Sequence, residues 1–163
     1  SNGSVGLGFA IPVDTVTRVA PYLIAEGGYP HPYLGIYMPN TRKVTPELRE
    51  AFLELGYDIG VETGVAIGIG DDNSEPGVKH SSPADLAGIH GPKEIVQRGN
   101  VQFPIGLDII TAVDGRRVNS IEALTYYLES NKVAGDTITL TVIREGQEVD
   151  LEIVLSSRPE PIG

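Results

Sequence analysis

The segment HSSPAD places His80, Ser81, Ser82 and Asp85 within six residues, the side-chain types of a general base, a nucleophile and an orienting carboxylate. A hydrolytic triad draws those groups from separate segments and adds backbone donors for an oxyanion. Neighbours at the start of a short apolar stretch are explained more economically as a helix start. Ser82 is then the N-cap, Pro83 the first helical residue and Asp85 the acid of a capping box. Metal ligation is the second chemistry on offer. His31, His80 and His90 with Asp71, Asp72 and Glu75 carry ligand atoms, yet they form neither an i, i+4 His pair nor an acidic loop of EF-hand spacing. They read as solvated loop residues, so no metal, no cofactor and no catalytic residue is expected. Cysteine is absent, which removes disulfides, thiolate ligands and a cysteine nucleophile.

The elements that position any site follow from composition and pattern. The 163 residues are 40% apolar and 21% charged, and Gly 20 with Pro 12 favours short strands joined by turns in an α+β chain. Twenty-two acids against twelve bases give a formal charge of −10, which argues against nucleic acid as a partner. No apolar run approaches the roughly 20 residues of a membrane span, and the N-terminus lacks a signal-peptide pattern. Asp14 is expected to cap a helix carrying Val16, Val19, Ala20, Leu23 and Ile24 on one face, kinked or split at Pro21 and stopped by Gly27 and Gly28. The connector GGYPHP marks the expected domain boundary.

Beyond it, YLGIYM reads as a short strand, and Thr45, Pro46 and Glu47 open a helix with Leu48, Ala51, Phe52 and Leu55 on one face. GVAIGI suits a buried strand, and residues 71–79 a surface loop. Residues 90–105 read as an irregular excursion in which EIVQ and NVQF, around Arg98 and Gly99, form the ribs of a small hairpin. LDIITAV leads to an Asp114-Gly115 turn. Asn119 and Glu122 suggest a capping box for a helix with Ile121, Leu124 and Leu128 on one face. TITLTVIR and EVDLEIVL alternate apolar and polar residues around Glu145-Gly146 and read as a hairpin. SSRPEPIG reads as a tail.

In order, YLGI, TPEL, GVAI, SPADLAGI, GLDIITAVDG, SIEALTYYL and GDTITLTVIREGQ resemble the PDZ domain of HtrA/Deg trypsin-like serine proteases over about residues 33 to 156. The preceding GLGFAIPVDTVTRVAPYLI resembles the last strand of that family's protease domain and its connecting helix. The resemblance implies a PDZ-like, partly open β-barrel of five to six strands with two to three short helices, preceded by a strand and a linker helix. Its domains would be 1–31 (protease strand and connecting helix), 32–157 (PDZ, with an excursion at 71–106) and a tail at 158–163.

GLGF at residues 6 to 9 is the best-known spelling of a PDZ carboxylate loop, but it runs into AIP and a long helix. The resemblance assigns that loop to Tyr33, Leu34, Gly35 and Ile36. Gly35 lets the chain turn so that the N–H groups of Leu34, Gly35 and Ile36 can hold a C-terminal carboxylate. Ile36, Tyr37 and Met38 would be the strand edge that a peptide extends. Ile121, Leu124, Thr125 and Leu128 would line a pocket for an apolar last side chain, although Ile121, Leu124 and Leu128 serve equally well as plain core.

Expected partners are C-terminal peptides with an apolar last residue, the protease domain of the same chain, and further copies in a homotrimeric parent. The location implied is extracytoplasmic, in the periplasm or cell envelope, with a membrane anchor possible in the parent. A GNSGGP-like nucleophile loop would lie upstream of Gly3, so these residues bind and regulate while the parent cleaves. The excursion would be a contact surface for the protease domain or a cover. The competing readings are an oligomerisation module with an unused groove and part of an inactive protease homologue.

Overall fold

The computed structural model describes residues 13–37, 41–68, 77–99 and 101–159, so GLGF, Met38 and the acidic cluster Asp71, Asp72 and Glu75 lie outside the described residues. The chain divides into two compact units at Pro30/His31. In the first, helix α1 (Val13–Glu26) runs through Pro21 as one element, so of the kink or split expected there the split does not occur. The carbonyl freed by proline belongs to exposed Thr17, where water can take the place of the lost helical bond. Asp14 lies in the first turn of α1 and not before it, where its charge still meets the positive end of the helix dipole. After the helix, Tyr29 folds back on it: its hydroxyl accepts a 2.6 Å bond from Arg18 Nη1, and its ring meets Tyr22 edge-on at 5.5 Å.

The second unit contains strands β1 (Pro32–Tyr33), β2 (Thr41–Lys43), β3 (Val65–Ile67), β4 (Glu94–Arg98), β5 (Val101–Ile105), β6 (Ile109–Val113), β7 (Arg116–Arg117), β8 (Thr137–Arg144), β9 (Gln147–Val154) and β10 (Ser156–Ser157). Its helices are α2 (Pro46–Glu54), α3 (Pro83–Leu86) and α4 (Ile121–Asn131). The main antiparallel sheet has the order β2-β3-β6-β8-β9, with β7 on β6. The expected α+β architecture is present.

Strand alternation loads both faces of this sheet. Val65 and Ile67 face one core with Ile138, Leu140 and Val142, while the intervening Ala66 joins a second core with Ile109 and Ile143. A register shift between Ile110 and Ala112 lets Ile110 and Val113, three apart, enter the same core, which an unbroken pleat would forbid. Leu124 and Leu128 of α4 and Ala84 of α3 close the first core. Phe52 of α2, the excursion residue Ile105 and Leu107 just beyond the excursion close the second. Among its described residues the excursion thus forms the β4–β5 hairpin, with residues 90–93 and 106–108 as its stalk, and it completes a core.

Local signals explain most helix starts. Thr45 accepts from the Leu48 N–H at 3.2 Å and Ser82 from the Asp85 N–H at 3.3 Å, each ahead of a proline. The cap of α4 is Ser120 and not Asn119: Ser120 is extended (φ −153°, ψ 157°), and its hydroxyl accepts the Ala123 N–H. Glu122 then falls one place early for a capping box. The expected strand YLGIYM is broken at Gly35, which leaves β1 before it and, among the described residues, the bridge of Ile36 to Val78 after it. Ser156 and Ser157, read as tail, pair with β1.

One ion pair closes the stalk. Asp108, fully buried, accepts from Arg144 Nε (2.8 Å) and Nη2 (2.6 Å) and from the His90 N–H (2.8 Å). Arg144 also donates to the Gly88 carbonyl. Removing the guanidinium strands a buried carboxylate. Arg144→Ala is expected to cost about 3–5 kcal/mol in chemical denaturation, and a loss under 1 kcal/mol would contradict this role.

Candidate functional site

The site begins with Gly35, whose φ of +86° lies in the left-handed region. A Cβ built there would run into the Cβ and Oγ of Ser82, a residue that is itself buried. Residues 34 and 35 therefore lie directly against the start of α3. The Leu34 carbonyl accepts from the Ala84 N–H at 2.9 Å, and the Gly35 carbonyl accepts from the Lys79 N–H at 2.8 Å.

In a planar trans peptide unit the N–H points opposite to the C=O. Binding those two carbonyls toward α3 and Lys79 thus aims the N–H groups of Gly35 and Ile36 the other way. The bridge at Ile36 has the same effect. Tyr37 N–H donates to the Gly77 carbonyl (3.0 Å) and Lys79 N–H to Gly35, so Ile36 presents its own N–H and C=O to the opposite edge. Among the described residues, no acceptor meets the N–H groups of Leu34, Gly35 or Ile36.

These three residues line a cleft of about 390 Å³. One wall is Tyr33, Leu34, Gly35, Ile36 and Tyr37; the other is Ile121, Leu124, Thr125 and Leu128 of α4. The structure thus brings together every sequence-predicted site residue that it describes. Leu34, Leu124 and Leu128 are core and cleft lining at once, Ile36, Ile121 and Thr125 are half-buried, and Tyr37 is exposed. Thr125 donates to the Ile121 carbonyl, which presents its methyl group to its surroundings.

Pro32, Lys79, Glu129 and Arg158 also line the cleft and were not anticipated. Glu129 continues the helical spacing Ile121, Thr125, 129, a pattern that could have found it. It pairs with His31 Nδ1 at 2.9 Å and Arg158 Nη2 at 3.4 Å. Arg158 arrives through β10 and its N–H bond to the His31 carbonyl. Nothing in the local sequence signals that return.

The α4 wall is held by a polar network. Asp114 accepts from the Tyr127 hydroxyl (2.9 Å), the Thr139 N–H (2.8 Å) and Lys132 Nζ (2.8 Å). Burial pushes its carboxyl up, but bonds from Lys132, Thr139 and Tyr127 and the charge of Lys132 outweigh that and hold it below the usual range. The bond to Asp114 in turn holds the Lys132 ammonium above its usual value.

HSSPAD is a cap in the structure. Ser82 Oγ meets the Asp85 N–H, Asp85 Oδ2 accepts from the Ser81 N–H, and His80 Nδ1 lies 3.1 Å from that carboxylate. No serine hydroxyl meets His80 among the described residues.

A glycine turn with unmet N–H groups, opening on a cleft between a strand edge and a helix, is the arrangement of a peptide-capture domain. The chain belongs to the PDZ domain family, whose profile matches residues 32–155. Its PDZ domain is of the kind found in HtrA/Deg serine proteases. It is 31% identical over 160 residues to "Protease Do-like 1, chloroplastic" of Arabidopsis thaliana, covering 98% of this chain and 30% of that protein. It is 27% identical over 155 residues to "Serine protease Do-like HtrA" of Bacillus subtilis (strain 168), covering 95% and 29%. Among solved structures, "HtrA-type protease AlgWS227A with decapeptide" superposes with a TM-score of 0.64 at 26% identity, over 99% of this chain and 40% of that one. The chain thus spans less than a third of the length of these two curated relatives.

Two expectations follow. Gly35→Ala meets both the left-handed backbone and Ser82, so it should lose about 2–5 kcal/mol. Gly88→Ala, also at positive φ (+79°) but in open space, should lose only about 1–2 kcal/mol. Equal losses in urea melts would show that the Ser82 contact is immaterial. The second concerns Asp114. Its folded pKa is depressed, so its contribution is complete well above the unfolded value of about 3.9 and is lost as pH falls through the folded value. The stability gap between wild type and Asp114→Asn should be flat from about pH 5 to 9 and should narrow below about pH 4; a gap that widens in acid would contradict the network.

Proposed function

We propose that this chain is the peptide-binding regulatory part of an HtrA/Deg-type serine endopeptidase. Residues 32–157 act as its PDZ domain, and residues 1–31 as the last protease strand and connecting helix. The observation that carries this reading is the run of three backbone N–H groups, Leu34 to Ile36, that meet no acceptor among the described residues and belong to residues lining an apolar cleft.

A C-terminal carboxylate supplies the anionic acceptor those groups lack. Its last side chain enters between Leu34, Ile36, Leu124, Thr125 and Leu128, which favours an apolar residue. The peptide backbone adds to the edge at Ile36, Tyr37 and Met38. Related HtrA-type proteases solved with a decapeptide and with a tripeptide support this reading.

The parent then captures exposed C-termini of unfolded or damaged proteins and couples capture to cleavage by its protease domain, within a trimeric assembly. Relatives named as probable periplasmic endoproteases support an extracytoplasmic location. Among the described residues, no helix is long and apolar enough to cross a membrane.

The test is a fluorescence titration with an apolar-ended peptide as free acid and as amide. Each charge-assisted hydrogen bond contributes about 1.5–3 kcal/mol, so amidation is expected to weaken binding about a hundredfold or more. Equal affinity of the two forms would refute the carboxylate site and favour a module with an unused groove.

A further inference from the structure

The pleat around the Ile36 bridge separates two faces. Ile36 and Val78 turn inward, Val78 into the core and Ile36 against it. Tyr37 and Lys79, one residue further along each strand, fall on the other face and are exposed. Opposite Lys79 stands Gly35 and opposite Tyr37 stands Gly77, so neither has a cross-strand side chain to fill the space beside it.

Lys79 also lines the cleft, although it sits on the strand beyond Ile36. Tyr37 lines it too, so both residues of this face border the cleft. The charges are uneven as well. Of the two cations lining the cleft, Arg158 is paired with Glu129. Lys79 has no carboxylate within ion-pair distance among the described residues. The chain as a whole is strongly acidic, so this ammonium is a local exception to a field that repels anions.

A peptide whose carboxylate sits at residues 34–36 and whose backbone extends along Ile36 alternates in the same way. Its last side chain shares the face of Ile36 and enters the cleft. Its penultimate side chain shares the face of Tyr37 and Lys79. We propose that Lys79, beside Tyr37, forms a subsite that selects an acidic residue at the penultimate position of the bound C-terminus. This inference rests on the peptide-binding reading above.

The experiment measures affinities of free-acid peptides identical except for Glu, Gln or Lys at the penultimate position, for the wild type, Lys79→Gln and Lys79→Glu. Lys79 is exposed, and its side chain lies outside both cores, so folding is checked by a melt. An exposed ion pair is worth up to about 1 kcal/mol, or about three- to fivefold. The wild type is expected to prefer Glu over Gln by that factor at low salt and by less at high salt. Lys79→Gln should bring the ratio to about one, and Lys79→Glu should favour Lys. A Glu preference that survives in Lys79→Gln overturns the proposal. So does an equal weakening of all three peptides in that variant, which would place the ammonium on the terminal carboxylate. Failure of every free-acid peptide to bind the wild type would remove the groove reading itself, a result distinct from peptides that bind without regard to the penultimate residue.

Discussion

The close approach of Gly35 to Ser82 is the constraint from which the site follows. A side chain at residue 35 would collide with Ser82, and without that approach the Leu34 carbonyl could not reach the Ala84 N–H. With both carbonyls of the turn engaged on one side, planar peptide geometry leaves the next N–H groups on the other. The donors are therefore preorganised by hydrogen bonds that the fold makes anyway. This lowers the ordering cost of capturing a carboxylate.

The two cores share the work of holding that turn. The first puts α4 opposite the Ile36 edge, because Leu124 and Leu128 are core residues whose neighbours Ile121 and Thr125 turn toward the cleft. Asp114, Tyr127 and Lys132 fix the helix from its outer side. The second core, built on the reverse face by Phe52 and the excursion, lies away from the cleft and stiffens the sheet. Asp108 and Arg144 join the ends of the excursion to β8, so the extra residues add a wall without disturbing the strand order. In α1, Val16, Leu23 and Ile24 of the expected stripe are exposed, while Val19 and Ala20 are half-buried.

Local chemistry made much of this legible from residue types. Thr45-Pro46 and Ser82-Pro83 carry their capping geometry in adjacent letters, and the alternation in β8 and β9 states which side chains go inside. The α4 cap was misread by one residue because Asn119 and Ser120 are both competent acceptors, and backbone angles decide between them. Gly35 was read as a turn, but its partner Ser82 is 47 residues away, a contact that no periodicity reports. Lys79 escapes a sequence reading for the same reason: its position beside the cleft depends on the long-range bridge between Ile36 and Val78. The bulge at Ile110 to Ala112 leaves no mark in composition, and the return of Arg158 through β10 was hidden in a segment whose serines and prolines read as linker.

The central claim is that backbone N–H groups at Leu34, Gly35 and Ile36 hold a terminal carboxylate. Its most direct measurement is an amide NMR titration of the chain with a short apolar-ended free-acid peptide. The account predicts that these three amides show the largest downfield shifts and gain protection from hydrogen exchange, followed by Tyr37 and the cleft-facing residues of α4. Unchanged signals at Leu34, Gly35 and Ile36 while the peptide binds, with shifts centred on another surface such as the cleft beside Phe52 and Ile143, would contradict it.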